Sequence, residues 1–324
     1  MKTFRLIGMV LVAILVCAAC SKDDVTVNQE QKYFTVGLGV TGEYLEISDT
    51  PLGTRATTTA DTYGINVYTL ADNGSMSLYA SGCFTSLNDV KIKLLEGKEY
   101  AFKVGVCLDD NMYNFPVIEE NSYTSDWFNC EVNNKFDYNG SREIALETSS
   151  YNYMKFEMDY FYGELTNYVP SDNKLVEIET KRVVYGAHFI AEGLTEGSLN
   201  INVQGVSHPS ITGYYYSVTL TPEIVELDKI YRFYNIRNAW LSEDYRSSKI
   251  ITISWAKDDG SETPIGSYEI TFKRNIKTTI RIKLGESGLQ NGIVITRGDT
   301  PMSGDDNEYV IEGGEIIEVP VTTE

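Results

Sequence analysis

Over most of the chain the apolar residues fall at every second position, the spacing of strands that turn one face to a core. Tyr100, Phe102, Val104, Val106 and Leu108 mark one face of a long strand, and just before it Val90, Ile92 and Leu94 alternate with Lys91 and Lys93. Ile65 to Leu70 and Met76 to Ala80 flank Asp72-Asn73-Gly74, whose Asn-Gly supplies the positive φ values of a tight hairpin. Further on, Val183 to Ile190, then Leu199, Ile201 and Val203, then Tyr214 to Leu220 and Ile230 to Ile236 read as strands. Ile251, Ile253 and Trp255 share a face before Asp258-Asp259-Gly260 turns the chain, and Tyr268, Ile270 and Phe272 lead into Ile276, Ile280, Ile282 and Leu284. Lys277, Thr279, Arg281 and Lys283 take the opposite face, as in a sheet with one wet side. Short strands with turn signals every 8–12 residues or so predict an all-β protein of sandwiches rather than a parallel α/β sheet.

Four stretches depart from this regularity. In Tyr33 to Val40, Phe34, Val36, Leu38 and Val40 share a side while Gly37 and Gly39 offer little to pack, which predicts a weakly held strand. Asp109 to Thr180 is dominated by Asn, Asp, Tyr and Ser and reads as long loops with one or two short helices. Thr221-Pro222-Glu223 resembles a helix start, with Thr as cap and Pro at the first helical position. Val206-Ser207-His208-Pro209-Ser210 reads as a linker, dividing the chain into an N-terminal sandwich at 61–206 and a C-terminal one at 207–324.

The opening segment is an address. Lys2 and Arg5 precede an apolar run from Leu6 to Val16, followed by the small residues Ala18 and Ala19. The run is short of the roughly 20 apolar residues that span a bilayer. Val16-Cys17-Ala18-Ala19-Cys20 resembles a bacterial lipoprotein cleavage box, with Cys17 where Leu is usual. Residues 1–19 are then a signal peptide and Cys20 the lipidated first residue of the mature chain, held in the outer membrane by its acyl chains (palmitate among them). Ser21-Lys22-Asp23-Asp24 resembles the acidic tag of surface-exported lipoproteins, which points to the exterior of the cell outer membrane. Residues 20–60 form a tether containing the first strand and the open stretch Thr50-Pro51-Leu52-Gly53-Thr54-Arg55-Ala56-Thr57, where Arg55 stands within reach of a trypsin-like protease.

Charge narrows the functional classes. With 46 acidic and 27 basic side chains the chain carries −19, the wrong sign for a nucleic-acid partner. His188 and His208, with no Gly-x-Ser-x-Gly elbow, leave nothing to assemble as a nucleophile and base, so no catalytic residue is assigned and the chain is read as no enzyme. Asp258-Asp259-Gly260 and Asp305-Asp306-Asn307 lack the full loop of a calcium site, and neither a metal nor a cofactor is expected. Trp127 and Trp240 lie in less regular stretches and are the candidates for stacking on a sugar; Trp255 is in phase with the core. Cys83, Cys107 and Cys130 fit no disulfide framework, leaving one bridge or three thiols open.

Several of these features coincide: Cys20, Thr54-Arg55-Ala56 ahead of the first regular strand, Glu96 to Phe102 leading a central strand, Lys181-Arg182-Val183-Val184-Tyr185, and Phe272-Lys273-Arg274-Asn275-Ile276-Lys277-Thr278-Thr279-Ile280 closing a hairpin. Together they resemble the fimbrillin superfamily of Bacteroidetes, whose members are fimbrial subunits, tip proteins and anchors. The resemblance implies two transthyretin-like β-sandwich domains and assembly by strand exchange. An Arg-specific protease removes a lead strand, and the C-terminal strand of another subunit fills the groove. Mapped here, Tyr33 to Val40 is the plug, Arg55 and Ala56 flank the cut, and Ile317, Val319 and Val321 face the groove as donor, with Pro320 fit only for an edge. The implied partners are other fimbrial subunits, with host or bacterial surface glycans as ligands. The alternatives are an uncleaved fimbrial anchor and a surface glycan-binding lipoprotein.

Overall fold

The computed structural model describes residues 31–43, 61–88, 90–108, 115, 117–119, 130–138, 140, 142–147, 157–204, 215–284, 294–302 and 317–318. The all-β expectation is met: eighteen strands among these residues form sheets of seven, four, five and two strands. The seven-stranded sheet contains β1 (Tyr33–Gly42), β2 (Thr62–Leu70), β3 (Met76–Phe84), β4 (Lys91–Leu95), β5 (Tyr100–Cys107), β8 (Tyr160–Tyr168) and β9 (Leu175–Arg182). Its spatial order is β3-β2-β5-β8-β9-β1-β4. The β8–β9 ladder is short, with Phe161 opposite Arg182 and Tyr162 opposite Lys181. The strands on either side of it enclose one apolar cluster, in which Ile65, Val67, Phe102, Val104 and Phe161 meet Val36, Leu38, Ile92, Leu94 and Ile178.

The second core lies between two further sheets. One has the order β13 (Glu226–Arg232), β10 (Val184–Glu192), β16 (Ile276–Lys283), β17 (Val294–Pro301). The other runs β12 (Tyr215–Leu220), β11 (Ser198–Gln204), β14 (Arg246–Ala256), β15 (Glu262–Lys273), β18 (Ile317–Glu318). Ala187, Phe189, Ile280 and Ile282 from the first meet Leu199, Ile201, Val203, Ile251, Ile253 and Phe272 from the second. β6 (Val117–Glu119) and β7 (Arg142–Ile144) form a two-stranded ladder, and α1 (Ile236–Leu241) is a short helix.

Three expectations change. The stretch expected to be loops, 109–180, contributes β6 to β9. Tyr160, Phe161 and Tyr162 are all fully buried, because Phe161 faces the first core while Tyr160 and Tyr162 face the second. A strand covered on both sides shows no alternation, so its signal is lost among the Tyr and Asn around it. At Thr221 the cap bond forms, Ile224 N donating to Thr221 Oγ1 at 3.2 Å, but no helix follows. Reciprocal backbone bonds between Thr221 and Ile224 close a turn instead, and the chain continues as β13. Finally, β10 and β11 lie before the expected linker at 206, yet β11 pairs with β12 and β14, and β10 with β13 and β16. Sheet partnership thus changes at Val183, whose N–H donates to Tyr160 O at 2.9 Å and whose carbonyl accepts from Phe233 N at 3.1 Å.

Candidate functional site

The leading strand is firmly held. β1 lies inside the seven-stranded sheet, running parallel to β9 from the Gly37–Leu175 pair to the Gly42–Thr180 pair. On its other side Leu38 N donates to Val90 O at 3.3 Å, beside β4. Phe34, Val36 and Leu38 point into the core and are 8%, 0% and 2% exposed, each worth about 2 kcal/mol of apolar burial. Gly37 and Gly39 do have something to pack against. A Cβ at Gly37 would stand 3.2 Å from Leu175 Cδ1 and one at Gly39 3.4 Å from Leu175 Cδ2, so this leucine lies across the glycine face. The expectation of a weak strand is corrected on both counts.

Beyond its last core residue β1 ends in a device of charge. Gly42 has φ +83°, and a Cβ there would sit 2.7 Å from Thr180 O, so only glycine allows the chain to turn this close to β9. The next residue, Glu43, reaches a polar seam between the two cores. Its Oε2 accepts from the Arg182 backbone N–H at 2.8 Å, and Arg274 Nη1 donates to its Oε1 and Oε2 at 3.1 and 3.0 Å. Arg274 Nη1 also donates to Arg182 O at 3.0 Å, and its Nη2 bonds Glu243, which in turn takes Lys181 Nζ. Arg182 forks onto Asp159, with Nε and Nη2 at 2.8 and 2.7 Å from the two carboxylate oxygens, while its Nη1 reaches Met302 O at 3.1 Å. The two guanidinium side chains are 0% and 4% exposed. Burying charge this deeply is costly unless it is paired and hydrogen-bonded, and both of these guanidinium groups are. The Lys181 hydrogen bond, with the Arg274 charge behind it, holds Glu243 below the usual carboxylate range.

Both arginines come from segments that stand out in the sequence, but for their pattern and not for their charge. Arg182 follows Val176, Ile178 and Thr180 at every second place in β9, so it sits in the buried phase of that strand. That phase is the available signal: an arginine where an apolar residue is due. Arg274 occupies the tight turn between β15 and β16, where Asn275 takes φ +56° and its N–H donates to Val184 O at 2.8 Å. Glu43 and Asp159 carry no periodic signal.

The remaining candidates are dispersed. Cys20, Arg55, Ala56, Trp127, Val319 and Val321 lie outside the described residues, and Ile317 falls in β18. Trp240, in α1, packs into the second core with its ring edge-on to Tyr162, centroids 6.0 Å apart. Asp259 serves its own turn, accepting from Ser261 N at 2.8 Å, while Asp258 accepts from Gly197 N at 3.1 Å in a turn remote in sequence. Among the described residues no group of three or more His, Cys, Asp or Glu is placed to hold a metal ion, and no helix is long and apolar enough to cross a membrane. Cys83 and Cys130 form a disulfide with Cα atoms 6.1 Å apart, and Cys107 is a buried thiol.

No protein-family model and no curated protein matches the chain. Solved structures are similar at low identity. One is provisionally described as an adhesin, from Bacteroides ovatus, with 13% identity over 78% of this chain and 86% of that one and a TM-score of 0.40. A second is the tip fimbrial protein Mfa3 from Porphyromonas gingivalis, with 13% identity over 83% and 99% and a TM-score of 0.35. A third is a fimbrial assembly protein from Parabacteroides distasonis, with 16% identity over 83% and 97% and a TM-score of 0.36. Likeness at this level of superposition assigns no role to any residue of this chain.

Proposed function

We propose that this chain is a structural and adhesive component of cell-surface fimbriae, exported as a lipoprotein on Cys20 and assembled by β-strand exchange after cleavage between Arg55 and Ala56. The observation that carries the reading is the position of β1. It is the leading strand of the described chain, it fills a slot between β9 and β4, and it is joined to β2 by the segment that contains Arg55. Withdrawing such a strand leaves two rows of unpaired backbone groups and the pockets of Phe34, Val36 and Leu38, which another alternating strand satisfies. Ile317, Val319 and Val321 of a second subunit are the donor residues in this reading, and other fimbrial subunits are the partners. The Cys83–Cys130 disulfide suits an exported protein, since such bonds persist in oxidising compartments. The chain has no catalytic role in this reading.

The test is digestion of the purified full chain with an arginine-specific protease, followed by N-terminal sequencing and light scattering. Cleaved protein should begin at Ala56 and form a ladder of polymers, and Arg55→Ala should remain monomeric under the same protease. A cleaved chain that stays monomeric with β1 in place rules the mechanism out. A mature N-terminus at lipidated Cys20 on intact cells would favour the uncleaved anchor.

A further inference from the structure

The slot that holds β1 ends in a receptor for a carboxylate. At its far end the Arg182 backbone N–H and the Arg274 guanidinium converge on Glu43, which is three residues past Val40, the last side chain β1 turns to the core. The arginines do not depend on β1 alone: Asp159 holds Arg182 and Glu243 holds Arg274 from other elements. They therefore stay in place when β1 leaves, while the Arg182 N–H and one side of Arg274 lose their acceptor. A buried guanidinium stripped of one of its two carboxylates penalises the empty slot, and it equally penalises an occupant that brings an apolar or amide group to that point.

We propose that the β1 slot is read by charge as well as by shape, so that a replacing strand must carry an acidic side chain three residues beyond its last core-facing residue. This deepens the strand-exchange reading and rests on it. In a second copy of this chain the residue that meets the rule is Glu324, because Ile317, Val319, Val321 and Glu324 repeat the spacing of Val36, Leu38, Val40 and Glu43. Pro320 then takes the place of Gly39 and Thr323 that of Gly42, so the donor must bring Glu324 to the arginines without the left-handed turn that glycine gives β1. Leu38 N faces β4, so the neighbouring amide of Gly39 faces β9, and Pro320 forgoes that ladder bond. The carboxylate at the end of the slot fixes the register of a strand whose backbone pairing is incomplete.

Two measurements test this. In the uncut full chain, hydrogen exchange of the amides from Thr35 to Gly42 should quicken at least about tenfold in Glu43→Gln, while those of β14 and β15 stay as they were. Unchanged exchange in β1 overturns the receptor. In the chain cut after Arg55, a labelled, C-terminally amidated synthetic peptide of residues 314–324 should be taken up, and the same amidated peptide with Glu324→Gln should be taken up at least about tenfold less. Equal uptake overturns the carboxylate rule and leaves strand exchange standing. Uptake of neither peptide overturns both Glu324 as the matching residue and the exchange of this tail.

Discussion

β1 and β18 are the first and last strands of the described chain, yet the protein treats them differently. β1 has a strand on each side, three buried apolar anchors and a carboxylate in a buried seam. β18 pairs with β15 through Tyr268–Glu318 and Glu269–Ile317, at the edge of its sheet. The contrast extends to the charges nearby. Under β1 each of two buried arginines meets a carboxylate, whereas in the sheet that carries β18, Lys249 of β14 is 8% exposed and no carboxylate opposes it among the described residues. Alternation shows that a segment can pair. The polar groups at its end show which place it is meant to keep.

A charge placed in each strand is the most direct challenge to this contrast. Val36→Asp puts a carboxylate in the first core with no cation opposite and should cost more than about 4 kcal/mol, enough to abolish a cooperative unfolding transition. Ile317→Asp, in a two-residue edge pairing, should move the urea midpoint by the equivalent of less than about 1 kcal/mol. Equal effects would mean that β18 is as integral as β1. Next in size is Arg182→Ala, which leaves Asp159 without its cation and Met302 O without its donor. A loss of about 3–5 kcal/mol is expected, read by the same urea titration. Smaller again is Gly42→Ala, which meets both the left-handed φ and the 2.7 Å approach to Thr180 O. It should cost about 1–3 kcal/mol and raise hydrogen exchange in β1 before any other strand.

How far these regions are legible in the sequence depends on how each residue meets its surroundings. Strands with one wet face, such as β4 with Lys91 and Lys93 outward, announce themselves by alternation. β8 does not, because two cores claim its opposite faces and its buried residues run consecutively. β1 is legible as a strand but not as a firm one. The residue that covers Gly37 and Gly39 is Leu175, far away along the chain and brought to them only by the parallel pairing with β9. Arg182 is legible in phase, since it occupies a buried position of β9, but its partners Asp159, Glu43 and Arg274 come from three other segments. No local pattern brings those together. The tight turn at Arg274-Asn275 is visible as the close of a hairpin, and its charge gains meaning only from the seam it enters.

A modest effect of the opposite sign tests the contrast from the β18 side. Lys249 is in phase with Ile251 and Ile253, and burial alone pushes its ammonium down to about 8. An unfolded lysine titrates at about 10.4, so between about pH 8 and pH 10.4 the unfolded chain binds more protons at this site than the folded one. Stability at this site therefore rises with pH across that window, and below about pH 8 the full cost of burying the charge is present. Lys249→Met removes the charge and keeps most of the apolar volume, so it should stabilise the protein by about 1–2 kcal/mol at about pH 7. The gain should shrink toward zero by about pH 10.5, where the wild-type side chain is neutral in the folded state and about half neutral in the unfolded one. Urea midpoints of the two proteins at these two pH values measure this, and the pH dependence of other groups cancels in the difference. A constant difference would mean that an acidic group does oppose Lys249, and the two regions would then follow one rule for buried charge.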